Sequence, residues 1–467
     1  MNSLAFPVGM TRLILVNLTR KYPDRALKVK LAGRLHRGAV AFLFLGALAS
    51  SKIVLGDEFL TLTEAQHRAV ERSRQLSAQD SAALASREMA IAAGQLPDPV
   101  LRFGIDNLPI NGPDQFSVGN DFMTQRRIGI VQEFTRSEKR QLRAERFERE
   151  ADKYLAEKMG IVATIQRDTA LAWLDRYYAE AMAAAIAEQI EQVKREIVAA
   201  ESAYRAGRGS QADVIAAHGV LVGLEDRASE FNRRIATAKT GLARWIGEGA
   251  DAPLGVRPEI DSIRLDSGSL ESDLRHHPQI AVLSKQVEVA AADVRIAQAN
   301  KKADWSIELS YSQRGSAYSN MVSLGVSVPL QWDQRQRQER EIASRMATTE
   351  QIRAQLEDML RAHVAEVRSM IQEWENGRER LARYQRELEP ISKERSRATL
   401  TAYQGGKASL SEVLLARRNE TDVRLQALQL EMETARLWAQ LNFLFPENSS
   451  AAQEHAFPSG SPARSAQ

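Results

Sequence analysis

The sequence predicts a mainly α-helical chain with a small β part, folded as two internal repeats. Three observations predict it. Two stretches, Ser137–Tyr204 and Trp332–Tyr403, hold one glycine each, Gly160 and Gly377, and only one proline, Pro390. At about 70 residues, each stretch would make a helix ~100 Å long at 1.5 Å per residue. A similar motif follows each one: AYRAGRGSQADVIAA (Ala203–Ala217) and AYQGGKASLSEVLLA (Ala402–Ala416) align at a constant offset of 199. Each long stretch is also preceded by two short segments in which apolar and polar residues alternate.

Taken in order, the chain of 467 residues opens with a leader. Lys28, Lys30, Arg34 and Arg37 precede the apolar run Gly38–Leu48, and Ala47-Leu48-Ala49 offers a cleavage site, so residues 1–49 read as leader and signal peptide. The run is too short for a bilayer span of ~20 residues, and no later stretch reaches 18 apolar residues. The first repeat is assigned to residues 50–250, beginning with a helix near Leu62–Gly94. Its strands are Val100–Asn107 and Arg126–Phe134, and its long helix carries an apolar seam through Leu174, Tyr178, Met182, Ile186, Ile190, Val193 and Ile197. A Gly/Pro/Asp-rich equatorial connector covers 251–269, and the second repeat covers 270–445. There a helix near Leu270–Lys302 precedes strands Trp305–Ser312 and Met321–Leu330, followed by a seam through Leu360, Val364, Val367, Ile371, Trp374, Leu381 and Leu388. Pro390 is expected to kink that helix. Residues 446–467 read as a disordered tail.

The strands have the length of tilted membrane-crossing strands, ~8–10 residues. Trp305 and Trp332 stand where strands meet helices, as an interfacial aromatic girdle requires. Four strands cannot close a barrel that needs about eight, so a barrel requires several chains. Two ordinary hairpins packed on the helices are the alternative.

A secreted chain of two repeats, each hairpin, long helix, tip and helix, resembles the TolC family of outer-membrane efflux proteins. Within it, AGQLPDPVLRFGIDNLP (Ala93–Pro109), DFMTQRRIGIVQEF (Asp121–Phe134) and Lys139-Arg140 resemble the CzcC-like heavy-metal branch. Gln125 and Thr135 stand where that branch usually has methionine and proline. The resemblance implies a TolC-like homotrimer, with a 12-stranded β-barrel in outer-membrane lipid and a long α-helical periplasmic barrel below it. It further implies a periplasmic adaptor, an inner-membrane RND transporter, and a passive exit role for heavy-metal cations. A channel for multidrug efflux or type I secretion is the same-fold alternative, and a soluble periplasmic coiled-coil scaffold is the alternative of another class.

The resemblance places Glu412, with its repeat partner Asp213, where acids form a periplasmic gate. Ser210-x-x-Asp213 and Ser409-x-x-Glu412 equally have capping-box spacing, so both acids have a purely structural reading. Gly207, Gly209, Gly405 and Gly406 suit tight reversals, and the resemblance makes them adaptor-contact tips together with Arg208 and Lys407. Arg102, Asp106, Arg127, Glu133 and Glu308 share one strand phase and are candidate pore-lining residues. Both signs are present, so strong ion selectivity in the barrel is not implied.

No cysteine is present, which excludes disulfides, thiolate metal sites, a thiol nucleophile and a lipidated cysteine anchor. With 63 basic and 60 acidic residues and no basic cluster, nothing suggests nucleic acid. His276-His277 is the only adjacent histidine pair, too few donors for a metal set. No phosphate loop, hydrolytic triad or HExxH motif appears, so neither enzyme activity nor a cofactor is expected.

Overall fold

A computed structural model of the chain describes residues 59–266 and 268–447. The leader and signal peptide expected at 1–49, and all but the first two residues of the expected tail, lie outside the described residues.

The first half runs α1 (Leu62–Arg72), α2 (Arg74–Ala93), β1 (Val100–Asp106), β2 (Gln125–Phe134), α3 (Ser137–Arg205) and α4 (Gln211–Ile246). The second runs α5 (Leu270–Leu274), α6 (Pro278–Ala299), β3 (Trp305–Gln313), β4 (Met321–Ser327), α7 (Gln338–Arg383), a π-helical turn (Tyr384–Leu388), α8 (Glu389–Gln404) and α9 (Leu410–Asn442). No described helix is long and apolar enough to cross a membrane.

Four expectations are corrected. The helix near Leu62–Gly94 breaks at Ser73, whose backbone is extended (φ −67°, ψ 116°). The helix near Leu270–Lys302 breaks at His277, since Pro278 crowds the helical conformation of the residue before it and leaves ψ at 137°. β4 stops at Ser327, ahead of Pro329, which has no amide to donate to a ladder. The long stretch from Trp332 becomes helical only at Gln338, and its irregularity is a widened turn N-terminal to Pro390. A proline removes the i→i−4 bond and pushes its ring at the preceding turn, which a π turn accommodates.

α3 is a single 69-residue helix. Its predicted seam is buried except for half-buried Ile190, and Trp173, Leu174, Tyr178 and Ile186 are wholly buried. α3 packs on α2 above and α4 below, and meets α6 and α9 of the other half. In α7, Leu360, Val367, Ile371, Trp374 and Leu381 are buried, whereas Leu388 is 43% exposed. The π turn inserts extra arc before Leu388 and rotates it out of the heptad phase.

The connector and the segment before α1 are tied to the helices through indoles. Trp173 Nε1 donates to the Leu60 carbonyl (2.9 Å), Trp374 to that of Ile260 (3.2 Å) and Trp438 to that of Ser262 (3.0 Å). Leu60 also forms a parallel bridge with Leu254. These bonds satisfy irregular backbone beside the core, where an unpaired carbonyl would be costly.

The two hairpins join into one antiparallel sheet of order β1-β2-β3-β4. Its central pairing, β2 with β3, crosses the repeats, from Phe134 opposite Trp305 to Arg126 opposite Gln313.

Candidate functional site

The register sorts the sheet's side chains into two unlike faces. Leu101, Ile130, Leu309 and Leu324 form one cross-strand row, and Phe103, Ile128, Tyr311 and Val322 the next. All eight are exposed, Phe103 at 83% and Leu324 at 73%. Such a contiguous apolar surface marks an interaction face. At its helix-side end Trp305 stacks on Phe134 with ring centroids 4.5 Å apart, and Trp332 stands exposed beyond β4.

The opposite face is polar and small. Arg102, Gly129, Ser310 and Ser323 form one row; Gly104, Arg127, Ser312 and Met321 form another. A Cβ on Gly129 would stand 2.8 Å from that of Ser310, so β2 has no room there for a side chain. Of the five strand candidates, four converge. Arg127 pairs with Asp106 (3.1 Å) and approaches Glu308 (3.9 Å), which also meets Arg102 (3.5 Å). Glu133 shares the face but not the network; its carboxylate accepts a bond from the Thr135 hydroxyl (3.3 Å). Two cations balanced by two anions leave this belt without net charge, so the field it projects is weak.

At the helix ends the repeats are near-copies. Gly207 (φ 69°) and Gly406 (φ 70°) adopt the left-handed conformation that glycine tolerates. The Arg208 amide donates to the Ala203 carbonyl (2.9 Å), and the Lys407 amide to that of Ala402 (2.8 Å). Both capping boxes close. The Ser210 hydroxyl donates to Asp213 (2.8 Å) while accepting from the Asp213 amide (3.1 Å). The Ser409 amide donates to Glu412 (2.6 Å), and the Ser409 hydroxyl accepts from the Glu412 amide (3.2 Å). Bonds from the Ser409 amide and hydroxyl hold the Glu412 carboxyl below its usual range. In each acid only one oxygen serves the box. Gly207, Arg208, Gly209, Gly405, Gly406 and Lys407 are exposed.

Several features were invisible in the sequence because their partners are far apart in it. Buried Lys139 pairs with Asp304 (2.7 Å), which also accepts from the Arg136 amide (2.9 Å). Arg140 donates to the carbonyls of Gly94 (2.9 Å) and Thr135 (3.3 Å). Lys139-Arg140 therefore joins sheet to helices and repeat to repeat. His277 and His363 lie with ring centroids 4.8 Å apart, under Phe445. Burial, followed by His363 and Arg167, pushes the His277 pKa down to about 4. Among the described residues no three His, Cys, Asp or Glu side chains converge as a metal-holding group.

Residues 270–445 match the family model of outer membrane efflux proteins. No curated protein matches the chain in sequence. Among solved structures, the outer-membrane channel OprN is 17% identical with a TM-score of 0.68, over 83% of this chain and 90% of that one. The outer membrane protein VceC of Vibrio cholerae is 18% identical with a TM-score of 0.66, over 82% and 95%. CusC is 15% identical with a TM-score of 0.69, over 82% and 91%.

The chain shares the fold of these three proteins. The outer membrane efflux protein match spans the β3–β4 hairpin and the second tip, where Glu308 and Glu412 stand.

Proposed function

We propose that the chain is the outer-membrane channel subunit of a tripartite RND-type efflux system, a passive exit duct for heavy-metal cations. The observation that carries this reading is the sheet: four strands with one apolar exposed face, one polar face, and two edges, β1 and β4, unpaired among the described residues. A barrel needs about eight strands, so β4 of one copy must meet β1 of the next. Three copies supply three times four, or twelve, strands, and the TolC-like homotrimer is the assembly that the resemblance implies. The apolar rows then face lipid, and the Arg102–Asp106–Arg127–Glu308 belt lines the lumen.

The helices would continue the duct through the periplasm, closing at the tips. There Asp213 and Glu412 would both cap helices and, with the oxygens the boxes leave over, line a constriction that attracts cations. Gly207, Arg208, Gly209, Gly405, Gly406 and Lys407 would meet the adaptor. The heavy-metal cargo is supported by the sequence of the first hairpin and its junction, whose residues Asp121, Thr124 and Arg140 hold backbone in place while Lys139 pairs with Asp304. Cargo choice would then lie with the pump.

The test is the mass and conductance of the detergent-solubilised protein in a planar bilayer. A trimer that passes ions is expected; a monomer that passes none overturns the channel. In cells lacking the protein, metal tolerance should fall. Unchanged metal tolerance with raised drug sensitivity removes the cation reading.

A further inference from the structure

Three ion pairs bridge α3 and α9, each with its acid on α3 and its base on α9: Asp175–Arg436, Glu188–Arg424 and Glu196–Arg417. The first two are open to water, with Glu188 and Arg424 more than half exposed. The third, about two and a half turns from the tip, is 11% and 16% exposed. It is also badly made. Arg417 Nε lies 3.5 Å from Glu196 Oε1, and among the described residues neither Arg417 Nε nor Glu196 Oε2 has a hydrogen-bond partner.

The reason is competition. The Arg417 guanidinium is drawn along its own helix to Glu420 (3.2 Å), so two carboxylates share one cation. Arg195, on α3 itself, adds a weaker pull on Glu196. On α4, the other helix packed on α3 here, His218 faces Glu201 (3.8 Å) rather than Glu196. When Glu196 is neutral, the Arg417–Glu420 pair is balanced and nothing charged is left over. When Glu196 ionises, an underbonded carboxylate is held away from water, which parting the helices would relieve.

We propose that Glu196 and Arg417 form a proton-operated latch on the α3–α9 seam, shut while Glu196 carries a proton and released when it ionises. The direction follows from burial, which pushes the Glu196 carboxyl up despite Arg417. The shut form binds the proton more tightly than a solvated open form, so acid shuts the seam and alkali loosens it. The first repeat has no counterpart, because Arg417 aligns at the repeat offset with exposed His218.

The absence of cysteine allows clean labelling. Val198→Cys and Leu415→Cys, at positions 62% and 55% exposed, would carry spin labels on one copy mixed with unlabelled full-length chains in detergent. Pulsed-EPR distances should shift from one short population near pH 5 to a longer, broader one near pH 8, the sign set by linkage. Glu196→Gln should keep the short population at both, and Glu188→Gln should shift like the parent. No shift in the parent, or a shift surviving in Glu196→Gln, overturns the latch. As a control on export the latch rests on the channel reading. A chain that conducts without the shift fails the latch alone, and one that shifts without conducting fails the channel alone.

Discussion

The two repeats end in nearly the same turn but reach it differently. Both tips place glycine at φ near 70° and close a capping box. Above them, α3 runs unbroken for 69 residues, whereas its counterpart is interrupted by a π turn ahead of Pro390. The same division recurs at the upper helices: α2 follows Ser73, and α6 follows buried His277. The reversal chemistry is thus written locally and kept in both halves. The course of the helices and their charged contacts differ, and with them the response of each half to strain or pH.

The largest test of that division targets the point where the halves are joined. Lys139→Met would strip half-buried Asp304 of its cation and leave only the Arg136 amide donating to it, and should cost at most about 3–5 kcal/mol, read as a lower midpoint in thermal unfolding. A smaller effect probes whether the halves contribute equally to the apolar face. Leu101→Arg on β1 and Leu324→Arg on β4 occupy one cross-strand row, and each should cost about 2–4 kcal/mol if the row lies at mid-bilayer. Ser323→Arg, on the opposite face, should be tolerated better. Folding yield into lipid vesicles measures all three, and equal tolerance on both faces would break the facial assignment.

His277 belongs to the second half only and should make that half acid-sensitive. Its pKa is depressed to about 4 in the folded chain. Its contribution is therefore full at neutral pH and above, is lost as pH falls below the ordinary histidine range, and levels off below the folded value. Up to ~3 kcal/mol is at stake. Denaturant titrations against pH should show that slope, and His277→Gln should flatten it. The smallest effect sharpens the likeness instead: Ser210→Ala and Ser409→Ala should each cost about 0.5–2 kcal/mol, by similar amounts in the same unfolding assay.

What could be read from the sequence follows the same line between near and far. Strand phase, the seam through Leu174–Ile197 and the capping boxes depend on residues within a few positions of one another, and alternation or spacing reveals them. The convergence of Arg102, Asp106, Arg127 and Glu308 was legible as a shared face, though not as a network. Lys139–Asp304, the His277–His363 stack and the α3–α9 pairs join residues 86 to 261 positions apart, beyond any local pattern. Pro390 signalled a disturbance, but placing it in the turn before Leu388 needed the packed helix.

One feature of the sheet bears on how such a protein is made. Among the described residues, β1 and β4 each present one backbone edge, seven residues long, that no strand pairs. A lone copy adrift in water would offer two sticky rims beside a greasy panel, the combination that seeds aggregation. On the proposed channel reading, ring closure and entry into lipid are therefore best served by a single concerted event, with an escort protein shielding the rims until it happens.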